Sequence, residues 1–107
     1  MQGFLATILS LVASGKVRIS AHDYDELAED DILVSELLAG IVGAHVIEAY
    51  PNYPKGPCIL VLRHDKLGQP VHAVWGIPRG AGSPAVLVTA YRPDPKKWSD
   101  DYRQRKQ

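Results

Sequence analysis

Phe4, Leu5, Ile8, Leu11 and Val12 recur at intervals of three and four residues, which lays an apolar stripe along one face of a helix. The spacing predicts a first helix from Gln2 to Ser14, stopped by Gly15, whose backbone suits a helix C-terminus. Lys16 to Ile19 reads as a short extended link. Ser20, followed three residues later by Asp23, has the pattern of a helix N-cap and places His22 in the first turn of a second helix. A break near Asp30, itself a good N-cap, opens a further helix whose Leu33, Leu37 and Ile41 form a stripe widened by Val34 and Leu38, and Gly40 and Gly43 end it.

Beyond these glycines the apolar period changes. Val46 to Tyr50 is a first strand, closed by Pro51, Pro54, Gly56 and Pro57, which can continue neither a ladder nor a helix. Cys58 to His64, Val71 to Ile77 and Ala85 to Tyr91 are rich in Val, Ile and Leu, and the short links between them imply an antiparallel meander. Alternation puts His72, Val74 and Gly76 on one face and Val71, Ala73, Trp75 and Ile77 on the other. A first hairpin closing symmetrically about its loop would set Arg63 opposite His72. Asp94 before Pro95 has the form of a helix start, and Trp98 with Tyr102 gives that last helix an aromatic face. The expected fold is α+β: N-terminal helices, then a four-stranded, mainly antiparallel sheet, then a short C-terminal helix, all within one domain over 1–107.

Composition narrows the function classes. Apolar residues make up 46% and charged residues 22%, a globular mix far from that of disordered chains. The lone cysteine, Cys58, lies in an apolar run, so an intrachain disulfide is excluded and a reducing, cytoplasmic setting is the expectation. The apolar stretch from Phe4 to Val12 has no preceding Lys or Arg and is too short to span a bilayer, so neither secretion nor a membrane is expected. The net charge of zero conceals an asymmetry. Asp23 to Glu36 carries seven acidic residues and no Lys or Arg, which leaves twelve basic against five acidic residues on the rest of the chain.

Two segments carry a resemblance. The run Ser14-Gly15-Lys16 leading to Ser20-Ala21-His22, and the run Thr89-Ala90-Tyr91-Arg92-Pro93 leading to Trp98, with Val71-His72-Ala73-Val74 between them, resemble the family catalogued as domain of unknown function 4258. The resemblance covers nearly the whole chain. It implies kinship with RelE-like and BrnT-like toxins, a ribonuclease-like fold, RNA as substrate and an antitoxin protein as partner. One departure concerns the second helix: its relatives often carry arginines after the helix-start histidine, whereas Tyr24 to Asp31 offers only carboxylates among its charged residues, which repel a phosphate chain.

A metal-independent ribonuclease needs a base for the ribose 2′-hydroxyl, an acid for the leaving oxygen and a cation for the phosphoryl charge. His22 and His72 are the candidates for the first two roles, and Arg92 for the third. Arg63, Tyr91, Lys96 and Lys97 are the candidate RNA contacts, through phosphate pairing and base stacking. Structural alternatives stand beside these roles: a helix-start histidine that only hydrogen-bonds within the fold, an Arg63–His72 cross-strand rim contact, an aromatic that seals the sheet against the C-terminal helix, a solvated lysine face. The four histidines and the cysteine show no metal-ligand spacing, so neither metal nor cofactor is expected. The readings that remain open are an endoribonuclease toxin, a non-catalytic protein-interaction module that keeps the fold, and a homo-oligomer.

Overall fold

The computed structural model describes residues 2–106. The order is α1 (Gln2–Ala13), β1 (Val17–Arg18), α2 (Ala21–Glu29), α3 (Val34–Gly40), a 3-10 turn (Ile41–Gly43), β2 (His45–Tyr50), β3 (Cys58–His64), β4 (Pro70–Gly76) and β5 (Ala85–Tyr91). The strands form a five-stranded mixed sheet in the order β1-β5-β4-β3-β2. Among the described residues no helix is long and apolar enough to cross a membrane.

Two features depart from the sequence expectation. The sheet has a fifth strand, because the link after α1 pairs in parallel with β5, Val17 with Ala85 and Arg18 with Val86. A two-residue strand is too short for alternation to be visible, and its partner lies near the other end of the chain. Among the described residues the expected C-terminal helix is absent. The segment after β5 instead folds back on itself: Trp98 and Arg105 form an isolated antiparallel bridge, and Lys106 N–H reaches the Lys97 carbonyl at 2.9 Å. Its polar side chains satisfy the backbone locally. The Asp94 carboxylate accepts from Lys96 N–H at 2.8 Å, the Asp101 carboxylate from Arg103 N–H at 3.1 Å and the Ser99 hydroxyl from Gln104 N–H at 3.1 Å, while Tyr102 sits at φ 60°. Such bonds compete with a helix and here displace it.

The helices behave more nearly as the pattern implies. Gly15, at φ 75°, follows α1, and Ser20 and Asp23 form a complete capping box at the start of α2. Asp30, however, terminates α2 rather than opening α3, whose N-cap is Leu33. The helices cover one face of the sheet. Ile8, Leu27, Ile32, Leu37 and Ile41 meet Ile59, Val61, Val71, Ala73, Trp75 and Leu87 there in a continuous core, each large side chain contributing about 2 kcal/mol on burial. On the opposite face, Leu60, Leu62 and His72 are buried, His72 against Trp98 and the Tyr102 carbonyl of the C-terminal segment.

The β3–β4 hairpin is offset by one position from symmetric closure. Arg63 pairs with Val71 and Leu62 with His72, so Arg63 and His72 point to opposite faces. The Arg63 guanidinium turns toward the helices, donates to the Glu36 carbonyl and lies where a side chain at Gly40 would otherwise be.

Candidate functional site

The structure separates the residues that the sequence groups as catalytic. His22 stands in solvent at the start of α2, its side chain 79% exposed, and pairs with Glu26 one turn on at 2.8 Å. His72 is fully buried in β4. Its Nε2–H donates to the Tyr102 carbonyl at 2.9 Å, and Nδ1 is left to accept from the Tyr91 hydroxyl at 3.3 Å. The Tyr102 carbonyl, which can only accept, places a proton on Nε2. The rings of Trp98 and Tyr91 meet it edge to face, with centroids at 4.4 and 5.4 Å. Burial holds the imidazole below its ordinary titration range, and the Tyr102 carbonyl, the nearby Glu48 and Arg105 only modify that effect.

Arg92 is committed to the fold. It bridges to Asp65 at 2.9 Å and donates to the carbonyls of Asp30, Asp31 and Pro70 at 3.2 to 3.4 Å. A cation over the terminal carbonyls of α2 complements the negative end of that helix. Lys96 and Lys97 are exposed in the turn after β5, while Tyr91 is half-buried against His72. Among the predicted site residues Tyr91 and His72 are thus brought into contact, and Arg63 and Arg92 line one small hollow on the helix side of the sheet.

Sequence reasoning missed a second polar group on the His72 face. Glu48 of β2 accepts two hydrogen bonds from the Arg105 guanidinium, at 2.9 and 3.0 Å, and a third from the Tyr50 hydroxyl. Arg105 also lies over the Trp98 ring, 4.7 Å from its centroid. The Arg105 hydrogen bonds hold the Glu48 carboxyl below its usual range, and burial pushes the Tyr50 phenol up. The cluster pins residues 98–105 over the sheet. Its signal was hidden, because Arg105, near the end of the sequence, reaches across to the edge strand β2.

Several concave surfaces lie among the described residues. A groove of about 380 Å³ lies at the end of the sheet away from His72, between Arg18 and Ser20 on one side and Tyr53 and Lys55 on the other. Another, of about 500 Å³, lies at the α2–α3 junction, lined by Tyr24, Ala28, Asp31, Ile32, Leu33 and Val34. A third, of about 460 Å³, is bordered by carboxylates of α2, Glu36 and Asp65, with Lys66 and Arg92. Among the described residues no group of three or more His, Cys, Asp or Glu side chains is arranged to hold a metal ion.

Residues 19–92 match the family model described as domain of unknown function (DUF4258). The match takes in His22, the acidic helix, His72 and Arg92, and stops before the Trp98–Arg105 segment. No curated protein and no solved structure matches the chain.

Proposed function

The chain belongs to the domain of unknown function 4258 family, and on the geometry of its surface we propose that it acts as a non-catalytic interaction module that receives a basic, amphipathic segment of a partner protein. The observation that carries this reading is the groove at the α2–α3 junction. Tyr24 and Leu33 are 50% and 60% exposed there, although both are large apolar side chains that a free surface seldom groups. Asp31 lines the groove, and Asp25, Glu29 and Asp30 are exposed in the adjoining stretch of chain, which has no Lys or Arg between Asp23 and Glu36. An apolar floor on an acidic stretch of surface suits a helix or strand carrying Leu or Phe on one face and Lys or Arg on the other.

The placement of the histidines supports the absence of turnover. Cleavage by two histidines requires both imidazoles at one phosphate, and here His22 stands in solvent on α2 while His72 is sealed beneath residues 98–105. An antitoxin, the partner implied by the toxin resemblance, would be one protein of the required chemistry. The competing reading is the endoribonuclease toxin.

One experiment separates the two. Binding of a basic amphipathic Leu/Lys helical peptide is measured by fluorescence anisotropy, alongside incubation of the protein with mixed-sequence RNA at low salt with chelator. The proposal expects salt-sensitive peptide binding that weakens about tenfold in both Tyr24→Ala and Leu33→Ser, and intact RNA. RNA cleavage abolished in a folded His22→Ala variant would replace it with the ribonuclease reading. Peptide binding indifferent to Tyr24 and Leu33 would refute the docking site.

A further inference from the structure

The groove at the other end of the sheet has a different chemistry. Its floor is a cross-strand row: Arg18 is paired with Val86, Val86 with Gly76, and Gly76 with Cys58. Gly76 makes the hollow, because a Cβ there would press on Cys58 and the Pro57 carbonyl at 3.1 Å. Val88, 41% exposed, continues the apolar floor.

The walls are held by contacts independent of any ligand. On one side, the Arg79 guanidinium donates to the carbonyls of Tyr53 and Pro54 at 2.9 Å, fixing the β2–β3 loop, and Arg79 N–H bonds the Lys55 carbonyl at 3.0 Å. On the other, the capping box of α2 occupies both Ser20 and Asp23, the one carboxylate on the rim. Arg18 and Lys55 are exposed on opposite walls, and among the described residues neither side chain makes a hydrogen bond or ion pair. The Tyr53 ring, 42% exposed, stands beside them.

Two uncommitted cations, an exposed aromatic ring and an apolar hollow of about 380 Å³ define a ligand with an anionic end and a flat body. We propose that this groove binds a phosphorylated nucleoside, with the phosphate between Arg18 and Lys55 and the base against Tyr53 above Gly76 and Val88. Such a unit is supplied either by a free nucleotide or by the terminal nucleotide of a single strand. The site lies apart from the α2–α3 groove, so the two proposals stand or fall separately.

The test is isothermal titration of the protein at low salt with adenosine monophosphate, adenosine, inorganic phosphate and a 5′-phosphorylated hexanucleotide RNA. The proposal expects adenosine monophosphate to bind more tightly than adenosine or phosphate. Arg18→Gln and Lys55→Gln should each weaken binding about tenfold, and Tyr53→Leu should weaken it toward the affinity for phosphate alone. Both cations are exposed, so these variants fold. Binding of the hexanucleotide alone, with the same sensitivity to the three substitutions, assigns the groove to a strand end. Equal affinity for phosphate and adenosine monophosphate, affinity unchanged by the substitutions, or no binding of either nucleotide overturns the proposal.

Discussion

His72→Ala tests whether the buried imidazole is a structural group. The substitution removes the Nε2–H donor from the Tyr102 carbonyl, worth about 1 kcal/mol. It also removes edge-to-face contacts with Trp98 and Tyr91, about 1 kcal/mol each. With little room for collapse at a fully buried site, the expected loss is about 3 kcal/mol, or about 13 °C in melting temperature. Urea unfolding followed by tryptophan fluorescence suits this, because Trp98 touches the altered ring and Trp75 reports from the opposite face.

A second reading comes from pH. The folded state depresses the His72 pKa below its ordinary 6.5, so above that value both states are neutral and the stabilisation is complete. As pH falls through 6.5 the unfolded chain takes up a proton that the folded chain refuses, and stability declines toward the folded pKa. The wild type should therefore unfold at lower urea at about pH 5.5 than at about pH 7.5, and the difference should shrink in His72→Gln. Glu48 and Arg105 face the same cluster and are retained in that variant, so the change in slope belongs to His72. A loss below about 0.5 kcal/mol in His72→Ala, or a pH dependence untouched by His72→Gln, would refute the assignment.

Two further substitutions probe the frame. Gly56→Ala should abolish or severely reduce folding, seen as loss of the cooperative thermal transition, because Gly56 sits at φ 139° and a Cβ would collide with the Ile77 carbonyl. Arg92→Met should lower the melting temperature by several degrees, by uncapping α2 and removing the cation paired with Asp65, while leaving nucleotide titration of the Arg18 groove unchanged; loss of that binding with the melt unchanged would instead place Arg92 at a ligand.

Elements with long, regular patterns could be read from the sequence. The stripe through Ile8, the Ser20–Asp23 cap and the alternation from Val71 to Ile77 each state a local preference that packing then reinforces. What escaped was decided at a distance or by competition. β1 exists because β5 offers it a ladder, and its two residues carry no period of their own. The Trp98–Tyr102 spacing suggested a helix, but Asp94, Ser99 and Asp101 bond the nearby backbone instead. A one-residue offset in the β3–β4 hairpin sent Arg63 to the helix face, away from His72. Arg18 and Lys55 did not stand out, because only the β1–β5 pairing and the Arg79 clamp place them on facing walls.

The pairing of β1 with β5 also orders events in time. Strands β2 to β5 are sequential neighbours and can zip together as hairpins, whereas β1 must wait while α2, α3 and three strands are placed between it and its partner. During synthesis the edge that carries Arg18 stays open until β5 has left the ribosome, so the groove is completed only after the meander beside it exists. Amide hydrogens of β1 should accordingly exchange before those of β3 and β4, making this wall of the groove the first to open in an otherwise folded chain.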